Sequence, residues 1–295
     1  MEKKWFAIYL YYPGSLDLML QQLIYPFINR FFKEESDGSY FFIRYWENGS
    51  HIRLRMNVCP EKQEMLSEEM RKRANVFFAQ YPDLMQHSGS TVGSGYPGHK
   101  VILASYEPEI ARYGNLQSMP WAEAQFCSSS VFILDWINSR KKDSSVLVQA
   151  LSMHLMLLYA TKWEFPALLR VCDLFIDGWL LRLYDPTKDP AAEKEFWLKQ
   201  FESSFAEAKS QILPASQSFW ASLTEGDTSN KTAHFVQKNT SVMRSYSNAG
   251  FEETKLHEIV TSMMHMNNNR LGISNYEEAY AGYCLYQALN FISRS

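Results

Sequence analysis

The chain has 295 residues, of which 46% are hydrophobic and 21% charged, so a disordered or collagen-like protein is excluded. Its 29 basic and 32 acidic residues give a net charge of -3, which offers no basic surplus for direct binding of nucleic acid. The apolar N-terminal run is too short for a signal peptide, and no stretch reaches the ~18 apolar residues of a membrane span. A soluble, cytoplasmic, globular protein is predicted.

Cysteine and histidine spacing gives no sign of a metal site. The four cysteines lie far apart with no CxxC pair, and the seven histidines show no paired-ligand spacing. Aromatic residues, in contrast, make up an unusual 15% of the chain. They indicate either an aromatic-rich core or a groove that accepts an extended peptide.

The first 115 residues or so are predicted to be rich in strands. An aromatic strand is followed by a helix that Ser15 caps and Pro26 kinks, and Asn48-Gly49 predicts a hairpin between two further strands. A helix, a Gly- and Ser-rich loop and a fourth strand complete the region. The predicted strands are Lys4–Tyr12, Tyr40–Glu47, His51–Val58 and Lys100–Ser105, and the predicted helices are 15–32 and 61–81.

From about residue 116 onward the pattern is helical almost without interruption. Strands followed by many helices are typical of an α+β fold, and no linker or repeat divides the chain. We therefore expect a single domain over residues 1–295, with a mostly antiparallel sheet first. The predicted helices are 120–138, 145–162, 166–184, 190–212, 230–246, 254–269 and 275–292.

Three arginines are predicted to share one face of the hairpin. If Asn48-Gly49 forms a two-residue turn, Arg44 pairs with Arg53, and side chains alternate along each strand. Arg44, Arg53 and Arg55 then lie together, although like charges opposite one another destabilise a sheet. They need anionic partners, which are either internal Asp and Glu side chains or a bound carboxylate or phosphate.

Two further segments concentrate polar and charged side chains. In YEPEIARYG (106–114), proline suits a first helical turn, so Glu109 and Arg112 form an ordinary helical ion pair or a functional pair at a strand end. In HMNNNRLG (265–272), three consecutive asparagines are poor helix formers. They indicate either a helix end with a surface histidine, His265, or a polar pocket.

Taken together, FIRYWENGSHIRLR (42–55), YEPEIARYG and HMNNNRLG resemble the C-terminal domain of lantibiotic dehydratases, which also occurs alone in thiopeptide-type bacteriocin biosynthesis proteins. The resemblance extends over nearly the whole chain. It implies a lyase that acts on a ribosomal precursor peptide in antibiotic biosynthesis. It also implies that a separate enzyme, dependent on glutamyl-tRNA, first esterifies Ser or Thr, because the large glutamylation domain is not part of this sequence.

The resemblance implies a set of site residues. Arg53 and Arg55 match the arginines of the family's HxRxR strand, while Glu109, Arg112 and Tyr113 match ExxRY and His265 matches HxxxNR. The predicted catalytic residues are His265, Arg55, Arg112 and Tyr113, and the predicted substrate-binding residues are Arg44, Arg53, Glu109 and Arg270.

The chemistry of these side chains fits β-elimination of glutamate to give dehydroalanine or dehydrobutyrine. The reaction needs a base for the Cα proton, stabilisation of charge at the carbonyl, and recognition of the departing carboxylate. Imidazole is suited to proton transfer at neutral pH, and guanidinium is suited to binding carboxylates. Neither a cofactor nor a metal is required.

Two alternatives remain open from the sequence. One is a formal [4+2] cycloaddition, a pyridine synthase reaction on a dehydrated thiopeptide precursor, which has no glutamyl group to bind. The other is a catalytically silent module that binds the precursor for a partner enzyme. A homodimer is a further possibility that the sequence does not decide.

Overall fold

The computed structural model describes residues 2–34, 37–82, 98–142 and 144–295. The chain divides into two compact units. The sheet unit comprises the residues up to 108 together with 129–142, and the helical unit comprises 109–128 and 143–295. The Gly- and Ser-rich loop predicted before the fourth strand falls in 83–97, outside the described residues.

The sheet unit contains a four-stranded antiparallel sheet, as the sequence predicts. Alternation in β3 places every second side chain in the core, including the fully buried Ile52, Leu54 and Met56. The spatial order is β2-β3-β1-β4. The strands are β1 (Lys4–Tyr11), β2 (Ser39–Tyr45), β3 (His51–Val58) and β4 (Lys100–Ala104).

The predicted hairpin forms, but its connection is longer than a two-residue turn. Tyr45 and His51 are the last pair of the ladder, which leaves residues 46–50 between them. Asn48 and Gly49 adopt positive φ angles of 61° and 109°, which these residue types tolerate. The Gly49 amide donates to the Trp46 carbonyl at 3.0 Å and thereby closes the turn one residue earlier than predicted.

This change of register separates the three hairpin arginines. Arg44 lies opposite Ile52, and residues opposite one another project to the same face of a sheet. Arg44 therefore belongs to the buried face, whereas Arg53 and Arg55 project from the other face and are half-buried. Because a shift of one residue turns every side chain over, the prediction that all three share one face is wrong.

The helices of the sheet unit include a local irregularity. Ser15 caps the first helix as predicted, its hydroxyl accepting from the Leu18 amide at 3.3 Å. The sequence predicts a kink at Pro26, and the structure has a π-helical turn, Leu20–Ile24, directly before the helix whose first turn contains the proline. The helices are α1 (Leu16–Met19), α2 (Tyr25–Phe31) and α3 (Pro60–Gln80).

In the described part of the chain, seven helices follow β4, close to the predicted ranges. The exception is α7, which continues past Pro214 because Leu213, Ser216 and Leu223 remain buried on its packed face. None of the helices in the described part of the chain is long and apolar enough to cross a membrane. They are α4 (Met119–Ser139), α5 (Val146–Thr161), α6 (Phe165–Leu180), α7 (Pro190–Glu225), α8 (Asn230–Asn248), α9 (Glu253–Leu271) and α10 (Asn275–Ile292).

Within the helical unit, α10 packs against α6 and α7, and α5 packs against α8. Gly282 permits the close approach of α10 to α6, since a Cβ atom there would lie 2.9 Å from the Phe175 ring. The Ser274 hydroxyl caps α10, and the Glu277 carboxylate accepts from the Ser274 amide at 2.7 Å. This arrangement fixes the first turn of α10, where Glu278 is buried.

Candidate active site

Arg44 forms an internal ion pair. Its guanidinium donates to one carboxylate oxygen of Asp17 at 2.5 Å, and Arg140 donates to the other oxygen at the same distance. Burial lowers the pKa of Arg44, and the neighbouring Asp17 acts against that shift. The sequence left open whether the hairpin arginines pair with internal Asp and Glu side chains or with a bound anion. Arg44 pairs with an internal carboxylate.

Arg53 is surrounded by aromatic rings instead. Its guanidinium lies 3.5 Å from the centre of the Tyr45 ring and 4.7 Å from that of Tyr9. Its Nε donates to Nε2 of His51 at 3.1 Å. Among the residues that the structure describes, no Asp or Glu side chain forms an ion pair with Arg53. The outer part of this guanidinium therefore suits an external anion.

Arg55 lies further along the same face of β3. Its guanidinium is 5.3 Å from the centre of the Phe41 ring and 5.2 Å from that of Tyr106. Tyr106 also packs against Trp5, with ring centroids 5.3 Å apart. The first residue of the YEPEIARYG segment thus contributes to the aromatic surroundings of Arg55.

Residues 109–113 of that segment form a single helical turn that does not continue into a helix. The sequence instead predicts a helix with Pro108 in its first turn. The Tyr113 amide donates to the Glu109 carbonyl at 3.3 Å. Arg112 Nη1 pairs with Glu109 Oε2 at 3.0 Å, and its Nε donates to the Ser262 hydroxyl at 3.1 Å. The side chains of Glu109 and Arg112 are both partly exposed. The hydrogen bond to Ser262 connects Arg112 to α9.

His265 is paired with a buried carboxylate. Its Nδ1 lies 2.8 Å from Oε1 of Glu278, whose side chain is only 3% exposed. The side-chain amide of Asn268 donates from Nδ2 to the same oxygen at 3.2 Å. Burial raises the pKa of Glu278, and its bonds to His265 and Asn268 oppose the rise. The Trp179 ring packs against the imidazole, with centroids 4.4 Å apart.

This pairing fixes which imidazole nitrogen can act. When Oε1 of Glu278 accepts from both His265 and Asn268, the proton of the neutral imidazole is on Nδ1. The lone pair is then on Nε2. A carboxylate behind a histidine in this way also stabilises the imidazolium that forms when Nε2 takes a proton.

One face of α9 brings His265 and the anchor of Arg112 together. Between residues 262 and 270, all positions are buried except Ser262, His265 and Asn269. These three are spaced by three and four residues, so they lie on the same side of the helix. The guanidinium bonded to Ser262 is therefore about one turn from the imidazole.

The other two predicted residues of the helical unit are buried. Tyr113 is 1% exposed, and its carbonyl accepts from the hydroxyl of Tyr246 at 3.0 Å. Arg270 is fully buried, and its Nη1 donates to the Met266 carbonyl at 3.1 Å. Both side chains contact the Phe126 ring. Neither Tyr113 nor Arg270 offers a surface to a substrate in this arrangement.

Similarity to known proteins identifies the family. The model of the family described as "Lantibiotic biosynthesis dehydratase C-term" matches residues 5–289. The chain belongs to this family. Over 164 residues it is 29% identical to the subtilin biosynthesis protein SpaB of Bacillus subtilis. That match covers 54% of this chain and 14% of SpaB, so it spans a small part of that relative.

Three solved structures have the same fold. The pyridine synthase TbtD from thiomuracin biosynthesis gives a TM-score of 0.69 at 13% identity, over 99% of both chains. TsrL gives 0.63 at 11% identity, over 99% of this chain and 98% of TsrL. The tRNA-dependent lantibiotic dehydratase MibB from Microbispora sp. 107891 gives 0.62 at 19% identity, over 99% of this chain and 28% of MibB.

Sequence reasoning missed several residues of this dehydratase C-terminal domain. Glu278 had one available signal, because Ser274 and Glu277 form a capping box and the next residue starts a buried turn. Ser262 and Trp179 had no such signal, since their roles arise only when the folded chain brings them to Arg112 and His265. His51 is the histidine of the HxRxR strand, but that pattern does not show its contact with Arg53.

The side chains of this family domain form no evident metal centre in the portion of the chain that is described. No set of three or more His, Cys, Asp and Glu side chains in that portion suits a metal ion. The absence of a cofactor remains a prediction.

Proposed function

We propose that the chain eliminates glutamate from glutamylated Ser or Thr of a ribosomal precursor peptide, leaving dehydroalanine or dehydrobutyrine. The observation that carries this proposal is the half-exposed face of α9, which holds His265, paired with Glu278 of α10, and Ser262, the anchor of Arg112. Membership of a dehydratase family supports it. So does the sequence similarity to SpaB, a subtilin biosynthesis protein by name.

In the proposed step, Nε2 of His265 takes the proton from Cα of the glutamylated residue. The electron pair of that C–H bond forms the Cα–Cβ double bond, and the Cβ–O bond breaks. Glutamate leaves with the electrons of that bond as a free carboxylate. Glu278 stabilises the imidazolium until His265 returns its proton to solvent.

The guanidiniums have separate proposed roles within their own units. In the helical unit, Arg112 stabilises negative charge on the substrate carbonyl, and Glu109 orients it through their 3.0 Å ion pair. In the sheet unit, Arg53 and Arg55 bind carboxylates of the glutamyl group. Tyr113 and Arg270 act indirectly, by packing against Phe126 inside the helical unit.

The proposed partners follow from the reaction. The substrate is a precursor peptide that already carries a glutamyl ester, so a separate enzyme dependent on glutamyl-tRNA has to supply it. The step itself moves a proton and breaks one C–O bond with no net oxidation. It therefore needs no oxidant or reductant.

A synthetic peptide with O-glutamyl serine tests the proposal directly. We expect the protein to release glutamate and leave dehydroalanine, both read by mass spectrometry. His265→Ala should abolish release, whereas His234→Ala, which changes an exposed histidine on α8, should not. Persistence of the glutamyl ester with the unaltered protein, under conditions where a known elimination domain removes it, would refute the proposal.

The second candidate is the [4+2] cycloaddition, which the fold of TbtD brings into consideration. It requires a peptide with two dehydrated residues and releases the leader segment. Incubating the same preparation with such a peptide separates the reactions, because a pyridine ring and a released leader replace free glutamate as products. Binding of both peptides without turnover would identify a precursor-binding module.

A further inference from the structure

His51 begins β3 and is fully enclosed in the sheet unit. Its ring stacks on Tyr11 with centroids 4.2 Å apart, and lies 5.3 Å from Tyr45 and 5.7 Å from Tyr9. Its Nδ1 is 2.7 Å from the carbonyl of Gly49 in the hairpin loop. A carbonyl only accepts, so Nδ1 carries the proton and Nε2 is left as an acceptor.

That acceptor is used by Arg53. The Nε of the guanidinium donates to Nε2 of His51 at 3.1 Å. Tyr45 and Tyr9, two of the rings that enclose His51, also lie against the guanidinium. His51 and Arg53 therefore share one aromatic enclosure, and the imidazole sets the rotation of the guanidinium inside it.

The hydrogen bond limits how Arg53 can bind an anion. A guanidinium binds a carboxylate either through Nε and one Nη, or through its two Nη atoms. Because Nε is directed at His51, only the pair Nη1 and Nη2 remains for a bidentate contact. The Gly49 carbonyl at the tip of the hairpin thus orients His51, and His51 in turn orients the guanidinium of Arg53.

We propose that His51 is a positioning residue, which turns Arg53 so that Nη1 and Nη2 together receive a carboxylate of the glutamyl group. This inference rests on the proposed function for the identity of the anion. It assigns no chemical step to His51. The imidazole acts only as a neutral acceptor, and burial, which lowers its pKa, favours that state.

Two substitutions separate positioning from packing. His51→Phe keeps a ring against Tyr11 but has no acceptor, whereas His51→Gln can place an oxygen near the position of Nε2. The probe is a peptide whose glutamate is linked by an amide to diaminopropionate, which mimics the glutamyl ester but resists elimination. We expect His51→Phe to weaken its binding about 10-fold, since the contact is to a charged group. His51→Gln should stay within about threefold of the unaltered protein.

The unmodified peptide is the matched control, because it carries no glutamyl group. It should bind all three proteins equally, and kcat/KM for the glutamylated peptide should follow binding of the amide probe. A purely structural His51 would instead lower the melting temperature in both variants and affect both peptides alike. Unchanged binding of the probe by folded His51→Phe would overturn the inference.

A measurement on the unaltered protein keeps the inference falsifiable even if the variants fail to fold. With ¹⁵N-labelled arginine, the Nε–H of Arg53 should exchange slowly with solvent because it is hydrogen-bonded. Exchange at the rate of an exposed arginine would overturn the inference, whatever the peptides do. A slow exchange together with no binding of the probe and no elimination would support the positioning of Arg53 by His51 but overturn the proposed function and, with it, the glutamyl carboxylate as the anion.

Discussion

Each of the two units holds a pair of chemically identical side chains in opposite surroundings. In the sheet unit, Arg44 is buried against the carboxylate of Asp17, whereas Arg53 is half-buried among tyrosines and a neutral histidine. In the helical unit, His154 is fully buried on α5, whereas the side chain of His265 remains 19% exposed beside Glu278.

These pairs show what distinguishes a structural polar group from one that is available for chemistry. Arg44 has its charge matched inside the fold, and burial lowers the pKa of His154 to about 3, so that its ring stays neutral. Arg53 donates through Nε to His51, and His265 is paired with Glu278 through Nδ1, while both side chains remain partly exposed. Partial exposure is the feature that they share.

The largest effect should come from Glu278→Gln, which preserves shape but removes the carboxylate. A glutamine amide can donate to Nδ1 of His265, which would move the ring proton to Nε2 and eliminate the proposed base. We expect elimination to slow by about 100-fold or more, with little change in KM. Steady-state kinetics on the glutamylated peptide would measure both quantities.

Glu277→Gln is the neighbouring control. Glu277 belongs to the capping box of α10, so its substitution should cost about 0.5–1 kcal/mol of unfolding free energy and leave the rate per folded molecule unchanged. Equal kinetic losses in the two variants would mean that Glu278 supports the helix and not His265.

The sheet unit shows how far the sequence alone could lead. Alternation and Asn48-Gly49 were sufficient to predict the strands and the hairpin, because both signals are local. The register was not predictable, since it depends on the Trp46–Gly49 hydrogen bond and on how the arginine face is packed. That single residue of shift separated Arg44 from Arg53.

In the helical unit the same limit applies to side-chain partners. Helix ranges follow from apolar periodicity and caps, and the asparagines before Gly272 do lie near a helix end. They do not interrupt α9, however, because Asn267 and Asn268 are buried and hydrogen-bonded to other helices. Gln125 is 142 residues from Asn267 along the chain, so no local pattern indicates it. Glu278 lies on the next helix, and the capping box places it in a first turn without showing that it contacts Asn268.

After Glu278→Gln, the next largest expected effect is a loss of stability in the Asp17→Leu variant. This change leaves the guanidiniums of Arg44 and Arg140 next to each other without their shared carboxylate. We expect a loss of about 3 kcal/mol in the free energy of unfolding, measured by urea denaturation. The exposed pair Lys199–Glu195 is the control, and Glu195→Leu should change stability far less because water screens that pair. Equal losses in the two variants would contradict a structural role for the Arg44 pair.

Lysine substitutions would sharpen the contrast between the arginines. Lysine keeps the charge but lacks the planar pair of donors, so Arg53→Lys and Arg55→Lys should slow elimination by about 10- to 150-fold. Binding of the unmodified peptide should hardly change. Arg44→Lys should lower the melting temperature while the rate per folded molecule stays near normal. A destabilised but fully active Arg55→Lys protein would remove Arg55 from the proposed site.

The smallest expected effect concerns His154 and the pH dependence of stability. Its ordinary pKa of 6.5 falls to about 3 in the folded state, chiefly because the ring is buried. The unfolded chain therefore binds the proton more tightly. The stabilisation that His154 provides is complete above the unfolded pKa and is lost as pH falls from about 6.5 toward 3.

His154→Leu removes this titration while keeping an apolar side chain at the position. Between pH 7 and 5, the unaltered protein should lose about 2 kcal/mol more unfolding free energy than the variant. Burial raises the pKa of Glu278, which contributes with the opposite sign, but Glu278 is common to both proteins and cancels in the difference. Parallel stability–pH curves from urea denaturation would show that His154 accepts a proton within the folded protein. His154 would then differ from His265 only in where it lies, and burial would not keep its ring neutral.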